Sequence, residues 1–309
     1  MREGQSKERN SGLNGIELTI FSKCNAHCRF CVSGQGFSGE MTLESAKRIM
    51  SDYLKNGVSK VILGGGEPSI HPDFISIIEA AGEAGFSSVE VKTNGIRFCY
   101  PEFAKACVSA GADSFSVSIW GRDPQTHDWM AGRTGAFEMT EMGVKHLLHY
   151  GAKVKIDFLM SSVSVGMEAG LIEDFCKVGV GRFDMWLYSI FGAGGRGEKM
   201  VPTMTEAGVA AAGAAAAADV FGAKAMTTHV PPCMLGNRPE MYYAVASLGL
   251  MIIMPDGRAF KAEDSPFESG RHVEACAQCA FNDRCPGPRI EYVEHFGEKE
   301  FHPICCDSR

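Results

Sequence analysis

The strongest constraint on this chain's fold is an alternation of strand-like and helix-like runs between residues 16 and about 225. Short runs rich in Val and Ile, such as "IELTIFS" and "KVILGGG", each precede a longer run with helical apolar spacing, such as "TLESAKRIMSDYLKNG" and "DFISIIEAAGEAG". "SVEVKTNG", "SFSVSIWG", "KVKIDFLMS" and "RFDMWLYSI" supply four more strands, which makes six units about 30 residues apart. Parallel strands need a long crossover, and a helix supplies it. Such a repeat therefore specifies a parallel sheet covered by helices. A closed barrel of this type takes eight units, so six predict an α/β fold with a partial (β/α)6 TIM-like barrel. Thr42 is placed to cap the first helix and Gly57 to end it. The alanine-rich run 206–221 reads as a plain covering helix.

After residue 225 the repeat stops. "HVPPCMLG", "GLMIIMPDGRAF" and "CAQCAFNDRCPG" are rich in turns and cysteines, and Asp256-Gly257 between apolar runs predicts a hairpin. The expected organisation is a loose tail over 1–14, a core over 15–225 and a small appended domain over 226–309. That last domain has little core of its own, and a metal would be its natural staple.

Composition excludes several classes. A net charge of −7 with no basic stripe gives no case for a nucleic-acid partner. No apolar run reaches the roughly 18 residues of a membrane span. The polar first dozen residues have no hydrophobic centre and do not read as a signal peptide, so a cytoplasmic setting is expected. Twelve cysteines in that setting point to metal ligands or catalytic thiols more than to disulfides. Cys99, Cys107 and Cys176 fall on or beside helices and read as core residues.

The motif Cys24-x3-Cys28-x2-Cys31 follows the first strand directly, on a loop at its C-terminal end. Active sites of parallel α/β proteins gather at that edge. Three thiolates on one short loop can grip three corners of a cubane 4Fe-4S cluster, which leaves the fourth iron open to a ligand. Zinc, with His27 or a distant residue as fourth ligand, is the competing reading. The run "GAGGRG" (192–197) fits a dinucleotide-binding loop, but no helix is expected to open at Gly197.

Taken in order, the motifs resemble the radical S-adenosylmethionine (radical SAM) superfamily over residues 16 to about 225. The cysteine motif carries Phe30 before its last cysteine. "GGEP" ends the second strand, "TNG" the third and "SVSIWG" the fourth, and Arg133 follows in "GRTGAFE". The resemblance implies an enzyme that reductively cleaves S-adenosylmethionine to a 5'-deoxyadenosyl radical, which takes a hydrogen atom from a substrate. It implies that Gly65, Gly66 and Glu67 receive the methionine amino group. Ser118 would lie near the ribose or carboxylate, Arg133 would pair with the carboxylate, and Phe30 would lie beside the adenine.

Cys276-x2-Cys279-x5-Cys285 followed by Pro-Gly resembles the auxiliary-cluster domains called SPASM and twitch. That resemblance implies a second, auxiliary 4Fe-4S cluster. Its fourth ligand would be Cys233, or else Cys305 or Cys306. A zinc ribbon is the competing reading. A free Cys233 would instead suit a redox-neutral epimerase, with this thiol as hydrogen donor. The implied substrate is a peptide or small natural product, and the implied electron donor is one such as flavodoxin or ferredoxin. An iron-sulfur or zinc protein for electron transfer or scaffolding is the non-enzymatic alternative. "GGEP" and Arg133 speak against it, because a scaffold needs no S-adenosylmethionine site. Weaker substrate-side candidates are Asp157, Asp184, Trp120 and Trp186, on the fourth to sixth strands, while His127 reads as a loop residue.

Overall fold

The computed structural model describes residues 12–31, 38–190 and 197–305. The expected tail lies almost wholly outside these residues, as do Cys306 and most of the "GAGGRG" run.

The six expected strands form where the apolar runs place them: β1 Gly15–Phe21, β2 Lys60–Gly65, β3 Ser88–Thr93, β4 Ser114–Ile119, β5 Lys153–Met160 and β6 Arg182–Leu187. The helices between them are α1 Leu43–Leu54, α2 Phe74–Ala84, α3 Pro101–Ser109, α4 Pro124–Ala131, α5 Ala136–His149 and α6 Glu168–Cys176. Thr42 caps α1 through its side chain, which accepts from the Ser45 amide at 3.2 Å. A one-turn helix, α7 Gly197–Met200, does open at Gly197, contrary to the sequence reading. It precedes the alanine-rich helix α8 Met204–Val220, where Thr203 and Glu206 form a reciprocal capping box. The alanines fit because α8 lies close against its neighbours; Ala207, Ala211 and Ala214 are fully buried.

Three further strands join the same sheet: β7 Lys224–Thr227, β8 Leu250–Ile253 and β9 Ala259–Lys261. The order is β7-β6-β5-β4-β3-β2-β1-β8-β9, with every pair parallel except β8–β9. The sheet is open, a partial barrel. The boundary expected at residue 225 falls inside β7, and the segment beyond it extends the sheet along β1. Leu18 of β1 pairs with Leu63 on one side and Ile253 on the other. Asp256-Gly257 makes the expected hairpin turn, closed by Met254 N–H to Arg258 C=O at 2.9 Å. A last helix, α9 Ile290–Phe296, packs Tyr292 against the start of α8; its hydroxyl accepts from the Met204 amide at 2.7 Å.

One face of the strands is apolar and meets the helices. The other carries charge: Glu17 pairs with Lys92 at 2.6 Å, and Lys155 with Glu90 at 3.5 Å and Asp184 at 3.1 Å. Mutual pairing makes this burial tolerable. Lys92, Glu90, Lys155 and Asp184 line a cavity of about 690 Å³ at the N-terminal ends of the strands. Asp184, also bound to Arg182 at 3.1 Å, belongs to that ion network. Cys107 is fully buried, and Cys99 and Cys176 are half-buried. Among the described residues, no helix is long and apolar enough to cross a membrane.

Candidate functional site

Four strand ends hold the first cysteine loop. The chain leaving β1 lies so close to the end of β2 that side chains are excluded there. A Cβ on Gly66 would stand 2.5 Å from the Lys23 carbonyl oxygen, and one on Gly65, at φ +134°, would collide with that of Phe21. Two backbone bonds seal the contact, Gly66 N–H to Phe21 C=O at 2.7 Å and Glu67 N–H to Lys23 C=O at 2.9 Å. Beyond them the Glu67 carboxyl is fully buried. It accepts from the Ser69 amide at 3.0 Å, the Thr93 hydroxyl at 2.8 Å and the Asn94 amide at 2.8 Å. Burial raises its proton affinity, and these bonds oppose the rise. Glu67 thus ties "GGEP" to "TNG", with at most one of its roughly four acceptor sites left for an outside donor.

Asn94 carries the tie to the cysteines, donating to Asn25 Oδ1 at 2.7 Å and toward Cys24 Sγ at 3.7 Å. The far side of the loop is stitched to the last turn of α4 and to the α4–α5 connection. His27 N–H meets Ala131 C=O at 2.9 Å, and Arg29 N–H meets Met130 C=O at 3.0 Å. Arg133 Nη1 donates to Asn25 C=O at 2.6 Å, while its Nε is buried with no partner. Trp120 donates to the Cys28 sulfur. Its backbone is held in turn by His127, which is buried on α4 and accepts the Trp120 amide at 3.1 Å. His127 is therefore a structural residue, not the loop residue expected. Burial drives its pKa down to about 4, so the ring is neutral.

The three sulfurs are within electrostatic reach of one another. Burial raises the Cys24 thiol, and the Cys31 sulfur adds to the rise. Burial, then the Cys31 and Cys24 sulfurs, pushes Cys28 up to about 12. Three such thiols ionise together only when a cationic centre balances them, so the donor chemistry fits an iron-sulfur cluster.

Phe30 turns from this loop into a cavity of about 290 Å³ at the C-terminal ends of β4, β5 and β6. It stands edge-on to Trp120 at 4.8 Å and to Tyr188 at 6.0 Å. Ser118, Asp157 and Trp186 share the walls. Asp157 hydrogen-bonds Ser116, and burial raises its proton affinity. The far wall was not foreseen: buried His229 and Arg289 and half-buried Glu268 form a group there. His229 Nε2 faces both Glu268 oxygens at 3.1–3.2 Å, and Arg289 Nη2 lies beside the ring, 2.9 Å from Nδ1 and 2.8 Å from Nε2. Burial and the Arg289 charge lower the His229 pKa to about 4, so this ring too is neutral. Arg289 also donates to Leu187 C=O at 3.1 Å. The missed signal was β7: recognising it as a strand would have put His229 at an active strand end.

The second thiol set lies apart. Cys233, Cys276, Cys279 and Cys285 line one small cavity with Phe301. Burial, then the sulfurs of Cys285, Cys279 and Cys276, pushes Cys233 up to about 12. Cys305 is exposed and does not line this cavity. Gly287 N–H donates to Cys285 Sγ at 3.4 Å, and Tyr242 hydrogen-bonds the same sulfur. Four thiols around one cavity are a donor set suited to a cubane. Among the described residues, no three His, Cys, Asp or Glu side chains converge tightly enough to hold a single metal ion.

A family model described as "Radical SAM superfamily" matches residues 18–168. The AdoMet-dependent heme synthase of Methanosarcina barkeri is 36% identical over 132 residues, which are 42% of this chain and 37% of that protein. The GTP 3',8-cyclase of Aeromonas hydrophila is 32% identical over 156 residues, 47% of this chain and 45% of its own. The chain thus spans half or less of these relatives' length. Among solved structures, Streptococcus suis SuiB bound to precursor peptide SuiA superposes with a TM-score of 0.69 at 18% identity, covering 97% of this chain and 77% of that one. Native anSMEcpe with bound AdoMet gives 0.66 at 12% identity, covering 93% and 92%. At such identities these two likenesses establish a shared fold. Residues 18–168, headed by the cysteine loop and braced by the ends of the next three strands, are a domain of the radical SAM superfamily.

Proposed function

We propose that this chain is a radical SAM enzyme that acts on an unactivated C–H bond of a peptide or small natural product. The observation that carries this reading is the placement of the cysteine loop. Cys24, Cys28 and Cys31 are braced by Gly66, Asn94 and Arg133, and their Phe30 lines a cavity at the active edge of the sheet. Cys24, Cys28 and Cys31 would hold a 4Fe-4S cluster that binds S-adenosylmethionine and, when reduced, supplies a 5'-deoxyadenosyl radical. The protein's own part is orientation and exclusion of water. The unpartnered Arg133 Nε suits the methionine carboxylate, the glycine carbonyls suit its ammonium, and Phe30 and Ser118 suit the adenosyl group.

The second set, with Cys233 as fourth ligand, would hold an auxiliary cluster. Its position behind Cys285, which also lines a cavity of about 700 Å³ next to the His229 group, suits electron exchange with a substrate. Cys233 does not line the Phe30 cavity, and this favours a ligand role over that of hydrogen donor to a substrate radical. The likeness to the GTP 3',8-cyclase covers 47% of this chain and 45% of that protein, too little to carry its substrate over. A low-potential donor such as flavodoxin or ferredoxin would deliver the electron.

The test is anaerobic reconstitution with iron counting and a dithionite assay. The protein should hold about eight irons and release 5'-deoxyadenosine from S-adenosylmethionine. With Cys24, Cys28 and Cys31 all replaced by Ala, about four irons should remain and the release should vanish. Release that survives the triple replacement would sink the proposal.

A further inference from the structure

Three side chains that line the 290 Å³ cavity carry buried polar atoms without a hydrogen-bond partner: Asp157 Oδ1, which has only the Lys155 ammonium 3.9 Å away, Trp186 Nε1 and Arg289 Nε. Buried polar groups are nearly always hydrogen-bonded, so three orphans around one cavity mark a place for a ligand. Two of them are N–H donors and want an acceptor. The third is a carboxyl oxygen and wants a donor.

Charge decides which acceptor. Among the described residues, Arg289 is the one cation that lines this cavity, and it is already offset. Glu291 lies 3.5 Å from its Nη1, and Glu268 faces it across the His229 ring. An anionic ligand would bring a further negative charge to a wall whose carboxylates outnumber its cation. A neutral ligand with a carbonyl for the two donors and an N–H for Asp157 meets all three needs.

A neighbouring cavity of about 700 Å³ shares His229, Glu268 and Arg289 as a common wall. A ligand extending from one cavity into the other passes this group. A chain of amides offers a carbonyl and an N–H at every step, so it can be read here while its remainder lies beyond.

We infer that Asp157, Trp186 and Arg289 form a subsite that reads one neutral amide unit of a peptide substrate, with its side chain against Phe30 and Trp120 and the rest of the peptide in the larger cavity. This inference rests on the proposed radical SAM function and narrows its substrate to an uncharged peptide segment.

The test uses reconstituted protein with S-adenosylmethionine and two probes, N-acetyl-phenylalaninamide and N-acetyl-phenylalanine, with binding read by equilibrium dialysis. The probes differ in one group, a neutral amide against a carboxylate. The amide should bind about ten-fold more tightly. A capped tripeptide amide with a central Phe should bind more tightly still. Trp186→Phe keeps an aromatic ring and removes only the N–H. It should weaken amide binding about ten-fold, the usual worth of one hydrogen bond, with iron content and melting temperature as controls for folding. Arg289→Gln, which tolerates folding less well, should act in the same direction. Equal or tighter binding of the carboxylate, an unchanged Trp186→Phe protein, or no amide binding by the unmodified protein would each overturn the inference. Failure of the radical SAM reading would look different: the unmodified protein would then release no 5'-deoxyadenosine, whatever the probes do.

Discussion

Replacing Gly66 by Ala tests whether the cysteine loop depends on the close approach of β1 and β2. The φ of Gly66 is not in the left-handed region, so alanine meets no backbone strain there, and only contact matters. The new methyl would lie 2.5 Å from the Lys23 carbonyl oxygen and 2.7 Å from that of Ser22. Ordinary contact needs roughly 3.4 Å, so the chain leading to Cys24 must move by most of an ångström. That movement breaks the bonds from Gly66 N–H to Phe21 C=O and from Glu67 N–H to Lys23 C=O, at 2.7 and 2.9 Å. Two buried bonds at about 1–1.5 kcal/mol each give a loss of about 2–3 kcal/mol. With an unfolding entropy of about 2.1 cal/mol/K per residue over 309 residues, Tm should fall by about 3–5 °C. Release of 5'-deoxyadenosine should fall more steeply, because the displaced segment carries Cys24. Gly82→Ala is the control. It lies within α2, its nearest atom would be 4.0 Å away, and helix propensity predicts a gain of about 0.5–1 kcal/mol. If Gly66→Ala melts and cleaves S-adenosylmethionine like the unmodified protein, the close-approach argument is wrong.

Cys233→Ala should lose about four of about eight irons while Cys305→Ala loses none, as counted after reconstitution; the reverse pattern would move the fourth ligand to the C-terminus. Arg133→Ala should weaken S-adenosylmethionine binding by about 1.5–3 kcal/mol in a titration, since a charge-assisted bond is removed, and unchanged affinity would displace the carboxylate from this arginine. The His127 ring has a folded pKa of about 4 against an ordinary value of 6.5. The unfolded chain therefore binds the extra proton in that window, and stability is full above about pH 6.5 and declines as pH falls toward 4. Between pH 7 and 5 this histidine alone should account for a loss of about 2 kcal/mol, so the pH profile of Tm should be flatter in His127→Gln, and parallel profiles would show that the ring does not titrate there.

Six of the nine strands, the α/β class and the position of the first cysteine loop were legible because they rest on local pattern. Apolar runs of "KVILGGG" type fix strands, Thr42 fixes a cap, and a loop after the first strand has only one edge of the sheet to lie on. The short strand β7 was not legible, and β8 was legible only as an arm of the Asp256-Gly257 hairpin, not as a strand of the main sheet. "KAMT" and "LMII" have four residues each and join the parallel sheet because β6 and β1 offer unpaired edges. For the same reason the break in pattern at residue 225 did not show as a break in the sheet. Spacing in sequence also left the fourth partner of Cys276, Cys279 and Cys285 open among Cys233, Cys305 and Cys306. Folding brings Cys233 into their cavity from more than 40 residues away. The sequence alone determined which chemistry the chain can carry, because that depends on residue type and short spacing. The tertiary structure alone assembled the far wall of the cavity: His229, Glu268 and Arg289 come from three separate turns, and only burial against the end of β6 gives them neighbours.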